Sequence, residues 1–297
     1  MKKSLILSIV VGFLFLSLGF LLLYYGLVGY GLSFFVFLPF VLGYMAGNAE
    51  VRKIGLIGLL ISLGLFLVLL IAGGLEGMGC VLMALPLILG ALALGYWIHY
   101  LGKRHREKQK DKPSVKNSLW PLFIFIGAGI LEKGLISNEP EIVSVKTEMV
   151  FPYSSLEVYE TIKSVDTLDA EKPFLMKIDL PVPEKCILEK EEVGGTRTCY
   201  FSGGTITEKI TELEKAKVLR MDVTDYQLTG RKWLGFKEAI YYFDAVGKDS
   251  CRLTRITTYT SELKPRFYWE PLEKLGIQQE HDYVFANLLK DLKRKYP

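Results

Sequence analysis

The sequence predicts a protein in two parts, a bundle of transmembrane helices followed by an α+β domain. Three observations lead to this prediction. The mean hydropathy over 297 residues is +0.27, which is high for a soluble protein. The apolar residues are concentrated in residues 1–136, in long runs that carry almost no charge. Beyond them, apolar and polar residues alternate as in half-buried strands, and the chain ends in a helical pattern.

Five apolar runs in residues 1–136 are predicted to form helices, at about 4–25, 30–47, 54–73, 79–101 and 119–136. The first four have the length that a hydrocarbon layer of about 30 Å requires. The fifth ends in Glu132 and Lys133, so whether it spans the membrane stays open. Glycines within the runs are predicted to be helix-packing positions: Gly12, Gly19, Gly43, Gly55, Gly58, Gly64, Gly90 and Gly95. A compact anchor is favoured over a transport path, because the spans lack internal charges.

The distribution of charge predicts the orientation of this bundle. Residues 1–141 contain 12 basic and 7 acidic side chains, whereas residues 142–297 contain 24 and 25. Lys2, Lys3, Arg52, Lys53 and the basic tail after residue 102 all fall on one side of the predicted helices. The positive-inside rule therefore predicts an integral membrane protein with a cytoplasmic amino terminus. Five spans would place the second part outside the cell and four would place it inside. Basic residues beside apolar spans give no reason to expect nucleic-acid binding.

The second part, residues 142–297, has the element order of an α+β domain. A strand at 142–151 is followed by a short helix that Ser154 or Ser155 can cap. Six further strands are predicted at about 185–192, 196–202, 205–213, 217–225, 236–246 and 252–262. Gly194-Gly195, Gly203-Gly204 and Lys248-Asp249 are interpreted as tight turns. The last helix has its main segment at 277–295, with one apolar face formed by Ile277, His281, Val284, Leu288 and Leu292.

A curved antiparallel sheet wrapped around this helix would bury the apolar face and leave a cleft between helix and sheet. Two segments carry a resemblance to a known family. Gly194–Gly203 resembles the Gly-x-x-Arg-x-Cys-x-Phe-Ser-x-Gly segment of membrane-linked bacterial SRPBCC proteins, and Tyr259–Trp269 with His281 resembles their carboxyl-terminal pattern. This superfamily includes START lipid carriers and polyketide cyclases. The resemblance covers residues 142–297 and implies a helix-grip fold that binds an apolar or amphiphilic small molecule, with membrane lipid as a partner.

Nine residues are candidates for contact with such a ligand: Arg197, Cys199, Phe201, Met221, Arg255, Tyr259, Tyr268, Trp269 and His281. Arg197, Cys199 and Phe201 share one strand face, which is either the cleft or the solvent side. Arg255 is either a polar anchor for the ligand or a partner in a cross-strand ion pair. Tyr268 and Trp269 either close the cleft, lie at a membrane interface or pack in the core.

Catalysis is the minority interpretation of these residues. His281 is the one histidine of residues 142–297, and a buried, hydrogen-bonded histidine is favoured over a ligand contact or an acid–base group. No second histidine accompanies it to form a metal site, and no nucleophile elbow or phosphate loop is present. No cofactor and no catalytic residue are therefore predicted. Two alternatives remain, a cyclase- or hydrolase-like enzyme that uses His281 or Tyr259, and a structural or sensory module with a filled core.

The four cysteines do not define a disulfide framework. Cys80 falls in a predicted span, which leaves Cys186, Cys199 and Cys251. A two-residue turn at Gly194-Gly195 would offset Cys186 from Cys199 by four residues, or roughly 13 Å along the strands, too far for a bond. No bond between these two is predicted, and a bond from Cys251 to either is left open.

Overall fold

The computed structural model describes residues 2–47, 52–107, 120–135, 139–230 and 232–297. The chain divides into two compact units, one drawn mainly from residues 1–139 and the other mainly from residues 140–297. The part of the predicted basic tail from Lys108 to Lys116 lies outside the described residues.

The first unit is helical. Its elements are α1 (Lys2–Tyr24), a π-helical turn (Ser33–Phe37) that runs into α2 (Leu38–Gly47), α3 (Arg52–Ala72), α4 (Met78–Glu107) and α5 (Trp120–Leu135). Within the described residues, three stretches are long and apolar enough to cross a membrane: Lys3–Tyr24, Lys53–Ala72 and Met78–Gly102. The second predicted span is a shorter apolar helix, Ser33–Gly47. With 16 residues, α5 is about 24 Å long, close to the short limit for a span.

These helices leave large apolar side chains uncovered. Ile6, Leu14 and Val68 are each at least 60% exposed. Exposing such a surface to water costs free energy, whereas exposing it to the hydrocarbon tails of lipids does not. The exposed apolar faces are therefore consistent with membrane association.

Glycines allow two helix pairs to approach closely. A Cβ atom built on Gly43 would lie 2.0 Å from the carbonyl oxygen of Leu92, and one on Gly95 would lie 2.0 Å from that of Phe40. The backbones of α2 and α4 thus meet directly. Between α1 and α3, Gly12 instead makes room for the side chain of Ser62. The packing role predicted for Gly64 and Gly90 is wrong for the described part of the chain, none of whose atoms lies within 4 Å of a Cβ built at either position.

Glu132 binds the start of the helix that contains α2. Its carboxylate oxygens accept hydrogen bonds from the backbone N–H groups of Leu32 and Ser33, at 2.7 and 2.8 Å. These N–H groups have no carbonyl partner within their own helix, and the helix dipole favours an anion at this end. The acidic residue near the end of α5 therefore holds the short helix in place.

The close approach of α2 to α4 gives a direct test. The substitution Gly95→Ala should destabilise the full chain by about 1–3 kcal/mol, because its methyl group would overlap the backbone of α2. Gly90→Ala, on the same helix but facing open space, should be neutral or slightly stabilising, since alanine is the better helix former. Thermal unfolding of both variants in one detergent compares them. Equal midpoints would contradict the close backbone contact.

The second unit is a single antiparallel sheet with helices on one face. In chain order its elements are β1 (Glu141–Phe151), α6 (Ser155–Ile162), α7 (Phe174–Ile178), β2 (Pro183–Leu188), β3 (Thr196–Phe201), β4 (Gly204–Glu214), β5 (Val218–Leu228), β6 (Leu234–Gly247), β7 (Ser250–Ser261) and α8 (Arg266–Lys295). The strand order is β1-β7-β6-β5-β4-β3-β2. Ser154 caps α6 in a capping box with Glu157, as the sequence indicated.

The carboxyl-terminal half of α8 packs against the sheet in an apolar core. Val284, Phe285, Leu288 and Leu292 lie at helical spacing and contact buried side chains of the sheet and of α6, including Phe151, Val158, Leu219, Met221, Phe243 and Leu253. The sheet curls around this helix, which is the helix-grip arrangement. The predicted fold class, apolar helices followed by a curved antiparallel sheet around a long carboxyl-terminal helix, is confirmed. The helix begins earlier than its predicted main segment and includes Pro271.

The turn predicted at Gly194-Gly195 is wrong. Strands β2 and β3 pair Leu188 with Arg197, so the connection between them is a seven-residue loop. Within it, Glu191 binds the hydroxyl of Tyr159 and the ammonium of Lys163, which draws the loop toward α6. Gly194 and Gly195 pair instead with Ile210 of the neighbouring strand β4.

This register also corrects the prediction for the cysteines. Cys186 and Cys199 lie directly opposite each other, with their Cα atoms 4.0 Å apart, and form a disulfide bond. The four-residue offset came from the assumed two-residue turn, and the longer loop removes it. Cys251 and Cys80 form no disulfide bond with the described residues, and Cys251 is completely buried.

Candidate functional site

The amino-terminal half of α8 faces the sheet with several polar side chains, unlike the carboxyl-terminal half. Glu273, Glu280 and His281 lie on the same face of α8 as the apolar residues that follow them. We call the groups gathered here the polar layer: Thr147, Arg197, Glu208, Tyr241, Arg255, Thr257, Tyr259, Ser261, Glu273, Glu280 and His281. A helix-grip domain could fill this space with apolar residues, so a buried set of charges is the feature that calls for a functional explanation.

Arg255 on β7 and Glu280 on α8 form a two-pronged ion pair. The distances are 3.1 Å from Nη1 to Oε1 and 2.9 Å from Nη2 to Oε2. Burial raises the pKa of Glu280, while Arg255 opposes this change. The side chains remain 11% and 14% exposed, so water reaches this pair although it lies between helix and sheet.

A second ion pair joins the neighbouring strands β3 and β4. The Nη1 atom of Arg197 lies 3.1 Å from Oε2 of Glu208, and its Nη2 donates to the carbonyl of Ile162 at 3.2 Å. Burial disfavours the charged guanidinium, but Tyr241 and Glu208 outweigh burial and raise the pKa of Arg197. The pair is almost fully buried, which places Arg197 on the inner side of the sheet.

The ring of Tyr241 lies between the two arginines. Their Cζ atoms are 5.8 Å (Arg197) and 5.5 Å (Arg255) from its centroid, within the range of cation–π attraction. The Nε atom of each arginine is buried and makes no hydrogen bond within the described residues. The aromatic ring thus shares in stabilising both cations in a region with little water.

His281 is enclosed by hydroxyl groups. Its Nδ1 lies 2.7 Å from Oγ1 of Thr147, and its Nε2 lies 2.7 Å from Oγ1 of Thr257. Thr147 has one hydroxyl hydrogen and donates it to Gln278. Nδ1 therefore carries the proton and donates to Thr147, while Nε2 accepts from Thr257. Burial, and then the charge of Arg255, lower the pKa of His281 to about 2, so the imidazole is neutral.

Tyr259 and Ser261, at the end of β7, both donate to the carboxylate of Glu273. The distances are 3.2 Å from the phenol oxygen and 2.7 Å from the serine hydroxyl. Tyr259 is fully buried. Its hydroxyl is thus held by a carboxylate of the protein.

Apolar side chains adjoin the polar layer around Tyr259. We call them the apolar collar: Val143, Val145, Leu234, Phe236 and Ile277. Val143 and Val145 are buried, whereas Leu234, Phe236 and Ile277 are only partly covered. The space beside the amino-terminal half of α8 thus combines partly exposed apolar groups with charged and hydroxyl groups.

The other predicted residues are placed less favourably for contact with a ligand. Cys199 is bonded to Cys186. Met221 is fully buried in the apolar core, and Phe201 is half-buried at the end of β3. Trp269 is 3% exposed and contacts Tyr268 edge to face, with ring centroids 5.1 Å apart. Of the nine candidates, the polar layer brings together Arg197, Arg255, Tyr259 and His281.

The acidic members of the layer were missed from the sequence, although two of them carried a signal. Glu208 has the same strand parity as the buried residues Ile206 and Ile210. Glu280 lies three residues after Ile277 and four before Val284, on the apolar face of the last helix. A charged residue at an inward position predicts a buried partner of opposite charge. That rule applied to both residues would have predicted ion pairs with the arginines.

The described residues offer no metal centre. In the stretches 2–47, 52–107, 120–135, 139–230 and 232–297, no three His, Cys, Asp or Glu side chains converge as metal ligands would.

Comparisons with known proteins bear on the fold. No protein-family model matches the sequence, and no curated protein matches it significantly. Solved structures that match include the Zhui aromatase/cyclase of Streptomyces sp. R1128, with 15% identity and a TM-score of 0.39 over 53% of this chain and 97% of that one. A START superfamily protein of Mycobacterium smegmatis matches with 11% identity and a TM-score of 0.39, over 51% and 97%.

Norcoclaurine synthase of Thalictrum flavum, in complex with dopamine and hydroxybenzaldehyde, matches with 18% identity and a TM-score of 0.36, over 56% of this chain and 94% of that one. A START protein and an aromatase/cyclase are among the classes that the sequence resemblance named. At these identities and scores the matches say nothing about ligand or reaction. The helix-grip fold itself is established by the strand order and by the packing of α8.

The environment of His281 predicts a pH dependence of stability. The unfolded chain binds a proton at His281 below pH 6.5, whereas the folded chain does so only near pH 2. The stabilisation from the neutral ring is therefore complete above pH 6.5 and decreases as the pH falls below it, by about 1.4 kcal/mol per pH unit. Between pH 6 and 5, His281→Gln should have a shallower dependence of unfolding free energy on pH than the unsubstituted chain.

Nuclear magnetic resonance of histidine-labelled protein provides a second measurement. The His281 resonances, identified by their loss in His281→Gln, should not change between pH 8 and pH 5. A titration midpoint near 6.5 would contradict the neutral, enclosed imidazole.

Proposed function

We propose that the helix-grip domain binds an amphiphilic small molecule between the sheet and the amino-terminal half of α8, and that the apolar helices hold this domain at a membrane. The contrast between the two halves of α8 supports the proposal. The carboxyl-terminal half is packed with apolar side chains. The amino-terminal half is next to a polar layer and a partly exposed apolar collar. An amphiphile would match both surfaces.

The exposure of Arg255 and Glu280 is the observation that carries the proposal. Both face the space between helix and sheet, yet each keeps more than a tenth of its surface accessible. A purely structural ion pair in a filled core would exclude water. A partly solvated pair lacks both the close packing of a core and the full hydration of a surface. Accessible inward charges are typical of binding sites, where a few polar groups orient a mostly apolar ligand.

A membrane supplies apolar molecules at high local concentration. Transfer of a ligand tail into an apolar site contributes about 0.8 kcal/mol per buried CH₂ group when the tail comes from water. From lipid the gain is far smaller, because the tail leaves an apolar phase. Selectivity would then depend on the head group and therefore on the polar layer.

The alternative of a cyclase- or hydrolase-like enzyme has less support. Both ring nitrogens of His281 are engaged by threonine hydroxyls, and its pKa of about 2 leaves no imidazolium to donate a proton. Tyr259 already donates to Glu273. Neither group is poised for general acid–base catalysis near neutral pH.

Fluorescent probe binding by the full chain in detergent tests the proposed site. N-phenyl-1-naphthylamine, a neutral apolar fluorophore, should bind the unsubstituted protein. Ile277→Trp, which enlarges a collar residue, should weaken binding at least about tenfold, equivalent to 1.4 kcal/mol. Leu275→Trp, on the same helix but 46% exposed, serves as the matched control and should bind normally. Equal binding by both variants would place the fluorophore elsewhere and contradict the proposal.

We further propose that this domain lies outside the cytoplasm. The contact of Glu132 with Leu32 and Ser33 brings the end of α5 level with the start of the helix Ser33–Gly47. Helix α1, which is long enough to cross a membrane, separates that level from the amino terminus. With the predicted cytoplasmic amino terminus, α5 would then end on the outer side.

The disulfide bond supports the same side. Reducing conditions in the cytosol keep most thiols free, whereas disulfides persist outside it. The Cys186–Cys199 bond between β2 and β3 is therefore in keeping with an external domain. All five helices would then cross the membrane, including the short α5.

Reporter fusions distinguish the two topologies. Alkaline phosphatase fused after Pro297 should be active, and green fluorescent protein at the same place should not fluoresce. Fusions after Arg104, which follows α4, should give the reverse pair. An inactive phosphatase after Pro297 would rule out the external location without affecting the proposed ligand site.

A further inference from the structure

The polar layer contains two inward-facing cations, and each already has an anion of its own. Both terminal nitrogens of Arg255 bind the carboxylate of Glu280, at 2.9 and 3.1 Å. Arg197 binds Glu208 at 3.1 Å and the carbonyl of Ile162 at 3.2 Å. Arginine is the usual residue for binding carboxylates and phosphates. Here its charge is neutralised within the protein before any ligand arrives.

We propose that the polar end of the ligand is an uncharged hydrogen-bonding group, a hydroxyl or a carbonyl, and that anionic head groups are rejected; this inference rests on the proposed function. An anionic head group entering the layer would have to displace Glu280 from Arg255 or be buried beside it without a counter-ion. In either case one anion is left in a poorly hydrated place, which is costly. An uncharged head group leaves both ion pairs intact.

The layer can satisfy an uncharged head group. The carboxylate of Glu280 has more acceptor sites than the two that Arg255 uses, so it can accept a hydrogen bond from a ligand hydroxyl. Its side chain is the more exposed member of the pair, at 14%. The ring of Tyr241 and the hydroxyls of Thr147 and Thr257 add no net charge.

The test measures how well two molecules with the same tail displace N-phenyl-1-naphthylamine from the full chain at pH 8. Decan-1-ol has an uncharged head group and decanoate an anionic one. The displacement measured with Ile277→Trp, which weakens the proposed site, is subtracted as background. The unsubstituted protein should prefer decan-1-ol. Glu280→Gln leaves Arg255 without its anion, so the ratio of the decanoate to the decan-1-ol dissociation constant should fall at least about tenfold.

Glu238→Gln is the matched control. It removes the carboxylate that pairs with Arg220 at 3.0 Å, away from the polar layer. The preference of this variant should equal that of the unsubstituted chain. The partition of each molecule into detergent is the same whichever variant is measured. The change in ratio between variants therefore reports the protein alone.

Each outcome separates the inference from the proposed function. If neither molecule displaces the fluorophore, the proposed site is wrong. If the unsubstituted chain binds decanoate as well as decan-1-ol, or if Glu280→Gln leaves the ratio unchanged, the site stands and the inference is overturned. Should Glu280→Gln fail to fold, the double variant Arg255→Met, Glu280→Met, which lacks both charges, must still reject decanoate. A gain in decanoate binding by that variant would also overturn the inference.

Discussion

The need to pair charges that face inward organises the interior of the helix-grip domain. Arg197 and Arg255 come from different strands, and their carboxylate partners come from a third strand and from α8. A guanidinium without a partner in such a place would be strongly destabilising. The strands and the helix must therefore assemble in one register for either pair to form. The same geometry encloses His281 and keeps it neutral. The fold and the neutral state of His281 thus depend on the same packing of the strands against α8.

Most of the architecture was predictable because it depends on local periodicity. Strand alternation located all seven strands, and the spacing of Val284, Leu288 and Leu292 located the buried face of α8. Pairing of β2 with β3 was not predictable in this way. The loop that joins them contains Glu191, which binds Tyr159 on α6 and Lys163 directly after it. Strand alternation contains no information on contacts between residues so distant in sequence, so it predicts neither the loop nor the disulfide bond.

The candidate site was predictable only in part, and for a related reason. Parity placed Arg197 on the face of β3 that turned out to be buried, but parity alone does not say which face is inside. Packing settles it, because Leu188 and Glu208 lie opposite Arg197 on the two neighbouring strands and share its face, and Leu188 packs against the apolar core. The partners of Arg255 and His281 come from α8 and β1, so they depend on how helix and sheet pack. Single-residue patterns contain no information on such pairings.

In the helical unit, the short helix Ser33–Gly47 depends on parts of the chain that are synthesised later. Its backbone is packed against α4 through Gly43 and Gly95. Its first N–H groups bind Glu132, about 100 residues further along the chain. When this segment leaves the ribosome, neither contact exists. The segment therefore reaches its final position only after α5 has been made, so assembly of the bundle is completed by its last helix rather than in chain order.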